Sequence, residues 1–129
     1  MSMKPNDFIM NSDYLSIAQI GKYNFELTIQ STTIAGNDQI VSEVEFGAIS
    51  QKGAIDQIMI CVNNGEFRIG NRYAYTINTN VGIILYVYRK NQSTIAVTYS
   101  INNGNSSSVV VPTTKFKIKI ISFKPPTMF

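Results

Sequence analysis

Residues 58–69 read Ile-Met-Ile-Cys-Val-Asn-Asn-Gly-Glu-Phe-Arg-Ile, two apolar runs joined by the tripeptide Asn63-Asn64-Gly65. A two-residue hairpin turn of type I′ needs positive φ at both central residues, and asparagine and glycine adopt that conformation at the lowest cost. The same tripeptide recurs as Asn102-Asn103-Gly104, again after an alternating apolar run. We therefore predict two β-hairpins, one joining residues 58–62 to 66–69 and the other joining residues 95–101 to 108–111.

Alternation of apolar and polar side chains extends outward from this stretch in both directions. Residues 23–30 place Phe25 and Leu27 on one face, and residues 43–48 alternate in the same way. The turn-rich segment between these two predicted strands favours a hairpin. Turn signals recur about every 8–12 residues, which is typical of sandwiches and barrels. We predict an all-β fold, an antiparallel two-sheet sandwich that is jelly-roll-like and has about eight strands.

The chain has 129 residues, a length that suits a single domain with one core. Residues 1–14 are a candidate N-terminal arm that docks on a neighbouring subunit, but we prefer the interpretation that they contain an ordinary first strand of the same sheet. Residues 124–129 are interpreted as a tail, because Pro125-Pro126 cannot continue a β-ladder. Charged residues make up 15% of the chain, against about a quarter in an average soluble domain. Neutral polar residues replace them, which favours a binding or assembly role.

The sequence lacks the patterns of catalytic and metal-binding sites. It contains no histidine, which excludes Ser-His-Asp and Cys-His nucleophile systems. The single cysteine, Cys61, cannot form an intramolecular disulfide. Glu43 and Glu45 alternate with core residues, so we interpret them as a solvated strand face rather than as an acid–base pair. We therefore predict a protein that is not an enzyme and has no cofactor and no metal site.

Lys115, Lys117 and Lys119 share one face of the most regular predicted strand, residues 115–123. Such a row could contact an anionic partner, but lysines also protect exposed sheet edges from aggregation, and we prefer that interpretation. The apolar character changes parity at Ile121, which predicts either a β-bulge near Ile120 and Ile121 or a strand end that is buried on both sides. We expect no nucleic-acid partner, because stacking aromatics are not close to the lysines in the sequence. We also expect no membrane insertion, because no stretch approaches about 18 apolar residues.

Tyrosine and arginine side chains concentrate in the central third of the chain. Tyrosine combines a flat apolar ring with a hydroxyl group that suits contacts with proteins or sugars. Tyrosines that are half-buried in a sheet are the competing interpretation. We name one candidate binding set and one candidate contact loop, the set being Arg68, Arg72, Tyr73 and Tyr75 and the loop residues being Asn103, Asn105 and Ser106.

Residues 4–14 read Lys-Pro-Asn-Asp-Phe-Ile-Met-Asn-Ser-Asp-Tyr. This lead resembles the openings of some small proteins encoded among phage and prophage tail genes, in which a similar segment precedes a β domain. The resemblance implies a tail-associated structural protein of the virion that works as a homo-oligomer, with other virion proteins or a surface glycan as partners. Our first hypothesis is therefore a self-associating structural protein, and the alternative is a carbohydrate- or receptor-binding β-sandwich module. The start of the chain lacks a secretory signal pattern, so we expect synthesis in the cytoplasm and a location in the virion.

Overall fold

The computed structural model describes residues 9–11, 15–46, 55–91 and 94–124. These residues form twelve strand segments and no helix, which confirms the all-β fold class. In chain order the strands are β1 (Ile9–Asn11), β2 (Leu15–Gly21), β3 (Asn24–Ile29), β4 (Thr32–Ile34), β5 (Gln39–Phe46), β6 (Ile55–Val62), β7 (Arg68–Ile69), β8 (Arg72–Asn78), β9 (Val81–Asn91), β10 (Thr94–Asn103), β11 (Val109–Val111) and β12 (Thr114–Phe123).

Two antiparallel sheets make up the sandwich, as the alternating sequence predicts. The six-stranded sheet has the order β1-β2-β3-β12-β6-β7, and the four-stranded sheet has the order β5-β10-β9-β8. A small two-stranded sheet joins β11 to β4. Eight of the twelve described segments have six residues or more. The strand order does not confirm jelly-roll connectivity, because β8, β9 and β10 follow one another as a meander within one sheet.

The core lies between the facing sheets and is built from alternate residues of each long strand. Phe25 and Leu27 of β3 are fully buried, and so are Ile83 and Leu85 of β9 in the other sheet. Full burial of a side chain of this size stabilises the fold by about 1.5–3 kcal/mol. The period-2 pattern of the sequence therefore decides which face of each sheet points inward.

β12 is an internal strand of the six-stranded sheet, bonded to β3 on one side and to β6 on the other. The interpretation of its lysines as edge protection is therefore wrong, because no edge is present at this strand. Phe116 and Ile118 are fully buried between the lysine positions. The register shifts between Ile120 and Ser122, and Ile121 is 50% exposed, which confirms the predicted bulge.

The first Asn-Asn-Gly tripeptide joins β6 to β7 as predicted, but the second strand covers only Arg68–Ile69 of the predicted residues 66–69. The two strands pair antiparallel, and the Gly65 amide N–H donates to the Val62 carbonyl across 2.9 Å. Asn63 and Asn64 have φ angles of 49° and 58°, which places both in the left-handed conformation of a type I′ turn. The turn is therefore made by the two asparagines, and Gly65 is the first residue after it.

The second tripeptide ends β10 and does not form the predicted hairpin. β10 pairs with β5 and β9, whereas residues 109–111 form β11 and pair with β4. The prediction is wrong because Asn103 is only 2% exposed, and its side chain is held between the carbonyl groups of Ile34 and Ser107. These contacts hold the loop after β10 against the segment that follows β4, so the chain does not turn back to pair with β10.

The predicted hairpin between residues 23–30 and 43–48 is also wrong. β3 belongs to the six-stranded sheet and β5 to the four-stranded sheet. The segment between them contains β4 and passes from one sheet to the other. Each strand finds a partner far along the chain instead, β12 for β3 and β10 for β5.

The candidate N-terminal arm is described only in part. Ile9–Asn11 forms β1, which pairs with β2 as an ordinary first strand of the sheet. Residues 1–8 and 12–14 of the candidate arm lie outside the described residues, as do residues 125–129 of the candidate tail.

Candidate functional site

The outer surface of the four-stranded sheet carries the side chains that alternate with its core residues. Cross-strand pairing arranges them in rows that run across all four strands. We call the surface formed by two of these rows, together with Tyr88, the open face. One row contains Glu43, Thr98, Tyr86 and Arg72, and the neighbouring row contains Val41, Ser100, Ile84 and Ala74.

Tyr86 and Tyr88 form an aromatic pair on the open face. Their ring centroids are 5.3 Å apart, and the ring planes are inclined by 28°, which is a stacked arrangement. Tyr86 is 41% exposed, whereas Tyr88 is half-buried. Tyr86 is therefore the more accessible ring of the pair, and Tyr88 supports it from one side.

Hydrogen bonds hold Tyr88 in place. Its hydroxyl donates to Oε2 of Glu43 across 2.6 Å, and Nζ of Lys90 donates to Oε1 of the same carboxylate across 2.8 Å. Lys90 also forms an ion pair with Glu45. The bonds from Lys90 and Tyr88 lower the pKa of Glu43, and the bond to Glu43 raises the pKa of Tyr88. Glu43 is therefore ionised at neutral pH, and Tyr88 keeps the proton that it donates.

A depression of about 240 Å³ borders the open face near Gly82. Ala74, Ile84 and Asn102 contribute to its lining. A Cβ atom at Gly82 would lie 3.0 Å from the carbonyl oxygen of Tyr75, a tight contact that a small shift of the backbone would relieve.

The structure keeps three residues of the predicted binding set together, Arg68, Tyr73 and Tyr75, and places Arg72 on the other side of β8. Tyr73 is 8% exposed, and its ring packs edge-on against Phe116 with centroids 6.0 Å apart. Tyr75 is half-buried and also packs edge-on against Phe116. Arg68, on β7, places its guanidinium carbon 5.2 Å from the centroid of the Tyr73 ring. Of the four residues, Arg72 lies on the open face.

Asn103, the first residue of the candidate contact loop, is buried and acts as an internal anchor. Its side-chain oxygen accepts a hydrogen bond from the Asn105 amide across 3.0 Å. Asn105 is half-buried and donates through its own side chain to the Thr79 carbonyl across 3.1 Å, whereas Ser106 is exposed. The side-chain nitrogen of Asn103 lies 3.0, 3.2 and 2.9 Å from the carbonyl oxygens of Ile34, Ala35 and Ser107.

β8 is an edge of the four-stranded sheet and is bonded to β9 on one side. The Val87 amide N–H donates to the Asn71 carbonyl across 2.8 Å, which makes these two residues a hydrogen-bonded pair in register with the ladder. Such pairs alternate with non-bonded pairs along an antiparallel ladder. The peptide groups of Arg72, Ala74 and Thr76 therefore point away from β9. All three residues are exposed, and no strand of the described chain pairs with them on that side.

The lysine row lies on the outer surface of the six-stranded sheet. Nζ of Lys115 is 4.0 Å from Oε1 of Glu26, and Nζ of Lys119 is 4.4 Å from the ring centroid of Phe67. Exposed ion pairs of this kind contribute little stability. The row lies on an internal strand, with Lys115 exposed and Lys117 and Lys119 half-buried.

In residues 9–11, 15–46, 55–91 and 94–124 there is no group of three or more histidine, cysteine, aspartate or glutamate side chains placed to hold a metal ion. No helix of sufficient length and apolar character to cross a membrane occurs in that part of the chain.

Comparison with known proteins finds no relative of this chain. No protein-family model matches it, and no curated protein or solved structure is significantly similar to it.

The predicted binding set omits both tyrosines of the open face. A signal for them is present in the sequence, because Val81, Ile83 and Leu85 share one parity of β9, and Tyr86 and Tyr88 share the other. The continuous apolar run of residues 81–88 conceals this alternation, since Ile84 is also apolar and lies on the outer side.

Proposed function

We propose that the protein is a non-enzymatic structural protein that self-associates, and that it works as a tail-associated component of a phage or prophage virion. The open edge of β8 is the observation that supports self-association. The virion assignment is supported by the resemblance of residues 4–14 to the openings of phage tail proteins.

Three of the four edges of the two main sheets are short or flanked within the described part of the chain. β1 has three residues and β7 has two, and β5 lies beside β1. β8 has seven residues. It contains neither lysine nor proline, the residues with which proteins commonly block exposed edges. β8 is therefore the edge best suited to pair with another strand.

A second copy of β8 fits this edge in antiparallel orientation. With a two-fold axis at Ala74, Arg72 of one copy lies opposite Thr76 of the other, so the two arginines do not face each other. The outward peptide groups of the three edge residues then form up to about six backbone hydrogen bonds. The two four-stranded sheets thereby become one continuous sheet.

The substitution Ala74→Pro tests this arrangement. Proline removes the outward N–H of residue 74 and leaves the ladder to β9 intact, because edge strands tolerate proline where the missing N–H faces solvent. We expect the unmodified chain to be a dimer in light scattering coupled to size-exclusion chromatography at about 100 µM. We expect Ala74→Pro to be a monomer with an unchanged far-ultraviolet circular dichroism spectrum.

Ala74→Ser is the matched control, because it keeps the N–H and the small side chain and is expected to remain a dimer. A monomeric unmodified chain at the same concentration would refute self-association through β8. An Ala74→Pro variant that still forms a dimer would refute the edge as the interface.

The virion assignment needs a separate test. Mass spectrometry of purified particles, produced from a host that carries the gene, is expected to detect the chain in the particle fraction. Its consistent absence from purified particles would contradict the assignment without affecting the dimer interface.

A further inference from the structure

We infer that the open face binds a neutral saccharide, with the Tyr86 ring as the stacking platform and Arg72 and Thr98 as hydrogen-bonding neighbours. This inference is independent of self-association through the edge of β8. It also moves the binding site away from the buried Tyr73 and the half-buried Tyr75.

The chemistry of Tyr86 and its neighbours matches the two kinds of surface that a sugar ring offers. The C–H groups of a pyranose form an apolar face that packs on a flat aromatic ring, and its hydroxyl groups need hydrogen-bonding partners at the ring edge. Cross-strand pairing places Thr98 on one side of Tyr86 and Arg72 on the other. Paired residues of this kind lie about 4.5–5.5 Å apart, so one sugar ring on Tyr86 can reach both.

The platform is held rigid before any ligand arrives. Tyr88 stacks on Tyr86, and its hydroxyl is fixed by Glu43, which is fixed in turn by Lys90. A side chain that is already held in its binding conformation loses little conformational entropy when a ligand binds. The network therefore favours binding without contacting the ligand.

The charge of the surface favours a neutral ligand over a polyanion. Glu43 and Glu45 are paired with Lys90 at one end of the open face. Arg72 lies at the other end and forms no ion pair with any residue that the structure describes. Two positive and two negative groups leave no net charge, whereas surfaces that bind nucleic acid add a positively charged groove to their aromatic platforms. The unpaired guanidinium of Arg72 is free to donate to sugar hydroxyls.

Calorimetric titration with a saccharide panel tests the site. The probes are oligosaccharides of glucose, galactose and N-acetylglucosamine, with oligogalacturonate and oligoglutamate as charged comparisons. We expect binding of at least one neutral oligosaccharide and a loss of affinity of about tenfold in Tyr86→Ala. Tyr86→Phe keeps the ring and is expected to stay within about threefold of the unmodified chain.

Ile121→Ala is the matched surface control, because Ile121 is also exposed but lies on the six-stranded sheet. It is expected to leave binding unchanged. No binding by any saccharide up to about 10 mM overturns the inference, and so does binding that Tyr86→Ala leaves intact. Equal binding of oligogalacturonate and oligoglutamate, without a neutral ligand, would show an anion site instead and would also overturn it.

The two proposals fail separately. Tyr86→Ala is expected to remain a dimer in light scattering, because its side chain lies on the open face and not at the β8 edge. A dimeric protein that binds no saccharide refutes the saccharide site alone, and a monomeric protein that binds one refutes the β8 interface alone.

Discussion

The two Asn-Asn-Gly tripeptides have the same sequence and different structures. At residues 63–65 all three residues are exposed, and Asn63 and Asn64 have positive φ angles in a tight turn. At residues 102–104 the same three residues end a strand, and Asn103 is only 2% exposed. At the first site both asparagines adopt the left-handed conformation, and the exposed Asn63 side chain accepts a hydrogen bond from the Lys115 N–H across 3.1 Å. At the second site the side-chain amide of Asn103 makes its hydrogen bonds in the interior.

The partners of the side-chain amide therefore differ between the two tripeptides. The backbone next to Asn63 belongs to β12. The backbone N–H of Asn63 donates to the Lys115 carbonyl across 2.7 Å. Around Asn103 two connections converge, and one side chain reaches carbonyl groups of both. Five substitutions test this contrast, in order of decreasing expected effect.

Asn103→Asp removes a buried donor group at nearly constant shape. The carbonyl oxygens that share the side-chain nitrogen lose their partner, and a carboxylate is placed beside them. We expect the free energy of unfolding to fall by about 3 kcal/mol or more in urea denaturation. Asn64→Asp, at the equivalent position of the first tripeptide, is the control and is expected to change it by less than about 0.5 kcal/mol. Equal losses at the two positions would refute the contrast.

Gly36→Ala tests the connection that packs against the loop after the second tripeptide. A Cβ atom at this position would lie 2.1 Å from the carbonyl oxygen of Ser106, so one of the two backbones must move. We expect a loss of about 2 kcal/mol in the same denaturation experiment. Gly21→Ala serves as the control, since its nearest contact is the flexible side-chain nitrogen of Asn24. A loss at Gly21 as large as that at Gly36 would count against the close packing of the loop.

Asn64→Ala tests the backbone conformation of the first tripeptide. Alanine keeps no side-chain group that favours the left-handed conformation, and residue 64 has a φ angle of 58°. We expect a loss of about 1 kcal/mol in the free energy of unfolding. Glycine adopts a positive φ angle without a steric cost, so Asn64→Gly is expected to be at least as stable as the unmodified chain. If Ala and Gly have the same effect, backbone conformation is not what selects asparagine here.

Gly65→Ala and Gly104→Ala are expected to have the smallest effects. Neither glycine has a positive φ angle. At the first tripeptide the positive φ angles belong to Asn63 and Asn64. A new Cβ would lie 3.0 Å from the Val62 oxygen at Gly65 and 3.1 Å from the Asn80 oxygen at Gly104. The reduced entropy of the unfolded chain offsets these contacts, so we expect changes below about 1 kcal/mol. A larger loss at Gly65 than in Asn64→Ala would mean that the turn is centred on Asn64 and Gly65.

Local pattern was sufficient to predict the fold class, the first hairpin and the bulge. Each depends on residues that are close together in sequence, such as the parity change at Ile121 and the two asparagines of residues 63–64. The predicted pairing of residues 95–101 with 108–111 is wrong because β11 pairs with β4, which lies about 77 residues earlier in the chain. Alternation shows that a segment is a strand and which side faces inward, but it carries no information on the partner strand.

The candidate surfaces follow the same division. The composition indicated tyrosine and arginine as binding residues, and Arg72 does lie on the open face. Tyr73 does not, because the inner side of β8 packs against Phe116 of the opposite sheet. The edge position of β8 could not be predicted either, since it depends on which strands pair with β9 and β10.

The amino-acid sequence by itself determined that this chain forms antiparallel strands, which side of each strand is buried, and where one tight turn lies. These properties arise from side-chain period and backbone preference, which act over a few residues. The tertiary structure alone decided the strand order, the burial of Asn103, the internal position of the lysine row, and the meeting of Tyr86 with Arg72 and Thr98. Each of these depends on contacts between segments that are distant in sequence, and those contacts form only when the two sheets pack together.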